Sequence, residues 1–129
     1  EDEEEHGLRA ILNYGHTFGH AIETVSGYER FLHGEAVALG MCAAGALGKN
    51  LGLVGEAFVD RQRACIAAYG LPTAWPELPV AEAVAAMKKD KKARAGKLKF
   101  IVPTQMGAVE QRTDITEEQV VSALESLRR

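Results

Sequence analysis

The sequence predicts a mostly helical domain closed by one small β-hairpin. Apolar residues recur at three- and four-residue spacing through most of the chain. Breaks at Ser26-Gly27-Tyr28, Asn50-Leu51-Gly52 and Gly70-Leu71-Pro72 cut that pattern into pieces of helix length. Only near residues 97–112 does the period change to alternation.

Taken in order, residues 1–5 are acidic and favour the positive end of a helix that follows. The first helix is expected to run from about Leu8 to Val25, with Leu8, Ile11, Leu12, Tyr14 in part, Phe18, Ala21, Ile22 and Val25 on its apolar side. Gly15 and Gly19 interrupt that side. A glycine costs about 1 kcal/mol against alanine inside a helix, so the pair points to close approach of another backbone or of a ligand. Gly27 is placed as the C-terminal cap. The second helix, about Gly34 to Lys49, is so rich in Ala and Gly that it is small on several faces, as a helix buried between neighbours should be. A third is expected from Glu56 to Tyr69, with Phe58, Val59, Ile66 and Tyr69 facing inward. A short fourth, Ala81 to Lys88, leads into Lys88-Lys89-Asp90-Lys91-Lys92. Lys97–Val102 and Ala108–Arg112 read as the strands of the hairpin, turning through Pro103–Gly107. Thr116 caps a last helix whose apolar side is Val120, Val121, Leu124 and Leu127.

A chain of 129 residues suffices for one domain with a core. Its net charge of -3 argues against a dedicated nucleic-acid binder. No membrane span is expected: the longest apolar stretch, around Ala36 to Leu47, is too short and holds Gly40 and Gly45. The acidic start is the reverse of a secretory leader. Cys42 and Cys65 are expected to be buried reduced thiols, which fits the cytoplasm.

Chemistry concentrates in Asn13-Tyr14-Gly15-His16-Thr17-Phe18-Gly19-His20-Ala21-Ile22-Glu23 and Leu32-His33-Gly34-Glu35, which hold three of the four histidines. His16 and His20, four apart, would share a helical face. Imidazole is the commonest ligand for zinc-like metals and the readiest acid or base near neutral pH. A zincin would need Glu directly after the first His, and Thr17 stands there. His33 precedes a helix and could be a cap or a ligand. Arg9 and Asn13 fall on the same expected face as His16 and His20. Such a face suits an anionic, oxygen-rich substrate, because guanidinium forks bind phosphate and carboxylate. Glu5, four before Arg9, could orient that arginine, hold a histidine tautomer, or be a solvated acid. The lysines from Lys88 to Lys99 read either as a solvated helix end or as a reach for phosphate.

At these residues the sequence resembles 3-dehydroquinate synthase. Leu-Asn-Tyr-Gly-His-Thr-Phe-Gly-His-Ala-Ile-Glu and Leu-His-Gly-Glu-Ala-Val-Ala-Leu-Gly-Met are similar to its signature. So are Asp2–Arg9, Gly70-Leu71-Pro72, Asp90-Lys91-Lys92 and Leu98–Pro103 with Gly107. The similarity covers residues 1–129, against the C-terminal helical domain of the family alone; the NAD-binding N-terminal domain is expected to be absent from this chain. The resemblance implies a phosphate-eliminating lyase of the shikimate pathway, which leads to the aromatic amino acids. DAHP, a phosphorylated seven-carbon sugar acid, becomes 3-dehydroquinate through transient oxidation by NAD, loss of phosphate and aldol closure.

The resemblance further implies that His16 and His33, not His16 and His20, are the metal ligands, for Zn2+ or Co2+. His20 would be a catalytic or substrate-contacting histidine, Glu5 an acid of the catalytic network, and Arg9 and Asn13 substrate contacts. Lys91 or Lys92 would contact a substrate anion. The third metal ligand, a glutamate, and the NAD site would lie upstream, so this chain would be inactive alone and hold metal weakly or not at all. The full-length enzyme would be a homodimer, with neither nucleic acid nor membrane as partner. Rival readings are another sugar-phosphate cyclase, a metal-dependent polyol dehydrogenase of the glycerol type, and a non-catalytic helical module that binds an anion.

Overall fold

A computed structural model describes residues 15–27, 31–93, 100–105 and 108–128. Glu5, Arg9, Asn13, the acidic start and residues 97–99 of the expected hairpin lie outside the described residues. Among the described residues, helices α1 (His16–Ser26), α2 (His33–Asn50), α3 (Glu56–Ala68) and α4 (Val80–Ala93) come first. Strands β1 (Phe100–Gln105) and β2 (Ala108–Arg112) form an antiparallel hairpin, followed by α5 (Glu117–Glu125) and a 3-10 turn, Ser126–Arg128. No described helix is long and apolar enough to cross a membrane.

Helix α2 is the axis. It packs on α1, α3, β1, α5 and the terminal 3-10 turn. Its small residues make this possible: Ala36, Ala38, Gly40, Ala43, Ala44, Gly45 and Gly48 are all buried, as are Leu39 and Leu47. Gly45 faces Gln62 of α3, whose side-chain amide donates to the Met41 carbonyl at 2.8 Å. Gly48 faces the ring of Pro103 in β1, where an added Cβ would lie 3.1 Å from Cδ.

The tightest packing is between α1 and α2. A Cβ on Gly40 would fall on the carbonyl oxygen of Gly15 and 2.7 Å from the amide nitrogen of Gly19. One on Gly19 would lie 3.2 Å from the Ala36 carbonyl oxygen. Gly15 and Gly19 are one helical turn apart, so together they make a backbone surface on which α2 rests. The close approach inferred from these two glycines is therefore to another backbone.

Gly15 also ends a sequence-based expectation. Its φ of +84° is left-handed, and it is the N-cap of α1. A helix cannot pass through that conformation, so the continuous helix from Leu8 to Val25 does not exist. Of the single face drawn through Arg9, Asn13, His16 and His20, only His16 and His20 belong to the described helix. Gly27, at φ +73°, is the expected C-cap.

Other departures have equally local causes. Tyr69 is 80% exposed rather than inward-facing, because α3 stops at Ala68 and Gly70 turns the chain with φ +76°. Helix α4 runs on to Ala93 and takes in the lysine run, which carries favourable charge at a helix C-terminus. Pro103 lies within β1 opposite Val109, not in the turn. A two-stranded sheet has only edge strands, where proline is tolerated, and the ladder bulges between Pro103 and Gln105. Thr116 caps α5 as expected, accepting from Gln119 N at 3.2 Å while Gln119 Oε1 accepts from Thr116 N at 2.8 Å. At the end of β2, Arg112 clamps the segment that leads into this helix, with Nε 2.9 Å from Asp114 Oδ1 and Nη2 3.0 Å from Oδ2.

The core continues from α1 and α2 to the aromatic pairs Phe18–Phe100 (centroids 5.4 Å apart) and Phe31–Trp75 (5.0 Å). Both cysteines are free thiols, but only Cys42 is buried; Cys65 is exposed. Burial pushes the Cys42 thiol up to about 11, against a smaller opposite pull from the Arg63 charge.

Two outcomes follow from this packing. Gly40→Ala should destabilise the chain by about 1–3 kcal/mol in denaturant unfolding, because the inserted methyl meets backbone that cannot yield locally. Gly34→Ala, where an added Cβ meets nothing within 4 Å, should cost no stability. Equal unfolding midpoints for the two variants would contradict the close crossing. In thiol labelling at about pH 8, Cys65 should react in the native chain and Cys42 only after unfolding. Fast native labelling of Cys42 would show that its burial is wrong.

Candidate active site

The site is built where α1 begins and α2 begins. Because Gly15 caps α1, His16 is its first residue; because the chain is extended at Leu32, His33 is the first residue of α2. The Glu35 carboxylate holds that second start by accepting from the Leu32 amide at 2.8 Å. The glycine crossing then brings the two starts together. The rings of His16 and His33 have centroids 5.7 Å apart and are tilted by 52°.

The two imidazoles differ in surroundings. His16 is partly buried, and its Nδ1 is shut off from solvent with no hydrogen-bond partner among the described residues. The His33 side chain is 65% exposed, and its Nδ1 lies 3.0 Å from Glu23 Oε2 of α1. Glu23 is itself largely buried, with 13% of its side chain exposed. The motif alone assigns Glu23 no role; the available signal is its position, seven after His16 and three after His20, which puts it on the histidine side of α1.

His20 lies one turn beyond His16 and is exposed. Its ring makes no hydrogen bond among the described residues, although its carbonyl accepts from Thr24 Oγ1 at 2.9 Å. Lys91 lines a cleft of about 120 Å³ between α4, the hairpin and α5, beside Lys88, Phe100 and Glu117. None of the histidines lines that cleft. Lys88 pairs there with Glu117 at 2.5 Å. Lys91 and Lys92 are both exposed, about 100° apart around α4. Among the described residues no three His, Cys, Asp or Glu side chains gather as a metal-holding group.

The five described helices, three of them packed on the small-residue axis α2, together with the hairpin resemble the C-terminal helical domains of sugar-phosphate cyclases. The chain superposes on 2-epi-5-epi-valiolone synthase from Streptomyces hygroscopicus subsp. jinggangensis, solved with NAD+ and Zn2+, with a TM-score of 0.79 and 27% identity over 91% of this chain and 32% of that one. It matches the fold of 2-deoxy-scyllo-inosose synthase, solved with carbaglucose-6-phosphate, NAD+ and Co2+, at a TM-score of 0.78 and 22% identity over 98% of this chain and 36% of that one.

Within that class, the chain belongs to the 3-dehydroquinate synthase C-terminal family, whose profile matches residues 1–93. It is 50% identical over 127 residues to the 3-dehydroquinate synthase of Synechococcus sp. strain CC9605, covering 98% of this chain and 34% of that protein. Against the 3-dehydroquinate synthase of Synechococcus sp. strain ATCC 27144 it is 57% identical over 109 residues, 84% of this chain and 30% of the relative. The chain thus spans about a third of the length of the curated relatives it matches.

Proposed function

We propose that this chain is the metal- and substrate-binding part of a 3-dehydroquinate synthase, active together with an NAD-binding part that contributes the remaining metal ligand. The observation that carries the reading is the apposition of the His16 and His33 rings in a chain half identical to enzymes of that name. Two imidazoles on one tetrahedral ion, with metal–nitrogen distances of about 2 Å, have centroids about 5 Å apart. The observed 5.7 Å fits that demand, and the unpartnered buried Nδ1 of His16 marks an imidazole whose polar needs the described protein does not meet. His16 and His33 are thus the residues that would hold Zn2+ or Co2+.

When bound, the metal supplies Lewis-acid polarisation of substrate oxygens and NAD accepts and returns a hydride. The rest falls to side chains of this chain. His20, exposed one turn from His16, holds or moves a proton at its ring beside the substrate. Arg9 and Asn13 grip the substrate's oxygen-rich end, with Glu5 as their acidic partner. Lys91, which lines the cleft beside the hairpin and α5, is the better placed of the two lysines to turn toward a neighbouring element, although both are exposed. Identity of about 50% to dehydroquinate synthases, against 27% to the valiolone enzyme, favours DAHP over other sugar phosphates as substrate.

Two experiments test this. In a full-length protein carrying this domain, His16→Ala and His33→Ala should each lose bound zinc and turnover together, by more than about a hundredfold, since a ligand matters more than the groups behind it. Retention of stoichiometric zinc by either variant would contradict the assignment. The chain alone, given DAHP, NAD and Zn2+, should release no phosphate, because two histidines are fewer protein ligands than a catalytic zinc site uses. Measurable turnover would show that the domain division is wrong.

A further inference from the structure

We propose that Glu23 is the positioning residue of His33: it holds the imidazole as the Nδ1–H tautomer and so leaves Nε2 as the nitrogen offered for coordination. The inference rests on the metal reading above for its purpose, but not for its geometry.

The geometry is one contact and its surroundings. Glu23 Oε2 and His33 Nδ1 are 3.0 Å apart. The carboxylate is largely removed from water, at 13% side-chain exposure, and the imidazole is its only hydrogen-bond partner among the described residues. An ionised carboxylate can only accept. If His33 carried its proton on Nε2, a lone pair at Nδ1 would face a carboxylate oxygen at that distance, and a buried acceptor would be left unsatisfied. Such a loss costs about 1–3 kcal/mol, more for a charged group. The contact therefore selects the tautomer with hydrogen on Nδ1. The lone pair then sits on Nε2, at the opposite side of the ring from Glu23.

The placement has a reason in the helix. Glu23 lies seven residues after His16, two turns along the same side of α1. One helix thus sets both neighbours of the His33 ring: the His16 imidazole beside it and the Glu23 carboxylate behind it. His33 is 65% exposed and would otherwise be free to rotate, so the carboxylate is what fixes its orientation. The glycine crossing brings α2 close enough for a glutamate to span the gap.

The test uses the 129-residue chain. Long-range ¹H–¹⁵N NMR of the histidine rings, without metal at neutral to mildly basic pH, reads the tautomer directly. His33 should show Nδ1–H in the parent chain and a mixture dominated by Nε2–H in Glu23→Ala. Glu23→Gln, which keeps a carbonyl acceptor of the same reach, should restore much of the Nδ1–H form; it also serves if the alanine variant does not fold. Titration with Zn2+ in the same spectra should move the His16 and His33 signals together, with 10- to 100-fold weaker binding in Glu23→Ala. An unchanged His33 tautomer across the parent, Gln and Ala chains would overturn the proposal. So would a changed tautomer with unchanged zinc affinity, since positioning would then have no consequence. If Zn2+ moved neither histidine in any chain, the proposed consequence for coordination would fail, while the metal-free spectra would still decide whether Glu23 fixes the ring.

Discussion

The contact between the Gly15–Gly19 surface of α1 and Gly40 of α2 governs the rest of the domain. It is backbone against backbone, with no side chain able to adjust between. At such a distance even one methyl group must push the helices apart. The histidines stand just beyond this crossing, one at the start of each helix, so the separation of their rings is fixed by the glycines rather than by the histidines themselves. A rigid support of this kind is what a ligand pair needs, because a coordination site tolerates errors of only about half an ångström.

The same helix pair explains the division of labour along α2. Its first turn carries His33 and Glu35 at the surface, while its middle is a column of Ala and Gly in contact with four other elements and the last turn of the chain. Small residues there let α1, α3, β1 and α5 all approach one axis. Packing therefore holds the site end of α2 in place from several sides at once. Leu32, immediately before His33, is a large apolar side chain that the described residues leave 76% exposed at the site end.

Much of this was legible in the residue pattern. The Ala/Gly content of α2 announced a helix buried on several faces, Thr116 announced a capped start, and the glycines of α1 announced a close approach. The pairing of His16 with His33 was not legible from spacing, which favoured His16 with His20; it came from resemblance to a family. Periodicity also failed at Gly15, because a glycine inside an apolar repeat and a glycine in a left-handed cap look alike until φ is known. The reach of α4 over the lysines was missed because a charge run reads equally as a solvated helix end or a loop. Glu23 was hidden for a different reason: an acid on a helix is ordinarily a solvated one, and only the arrival of His33 ten residues later gives it a partner.

The central claim is that α1 and α2 cross so closely that His16 and His33 meet at one cation. It is tested most directly by anomalous diffraction at the zinc edge from crystals of a full-length protein carrying this domain. A single strong peak bonded to both imidazoles, on the Nε2 side of His33, is the expected result. A zinc bonded to one of these rings alone, or found away from both, would contradict it.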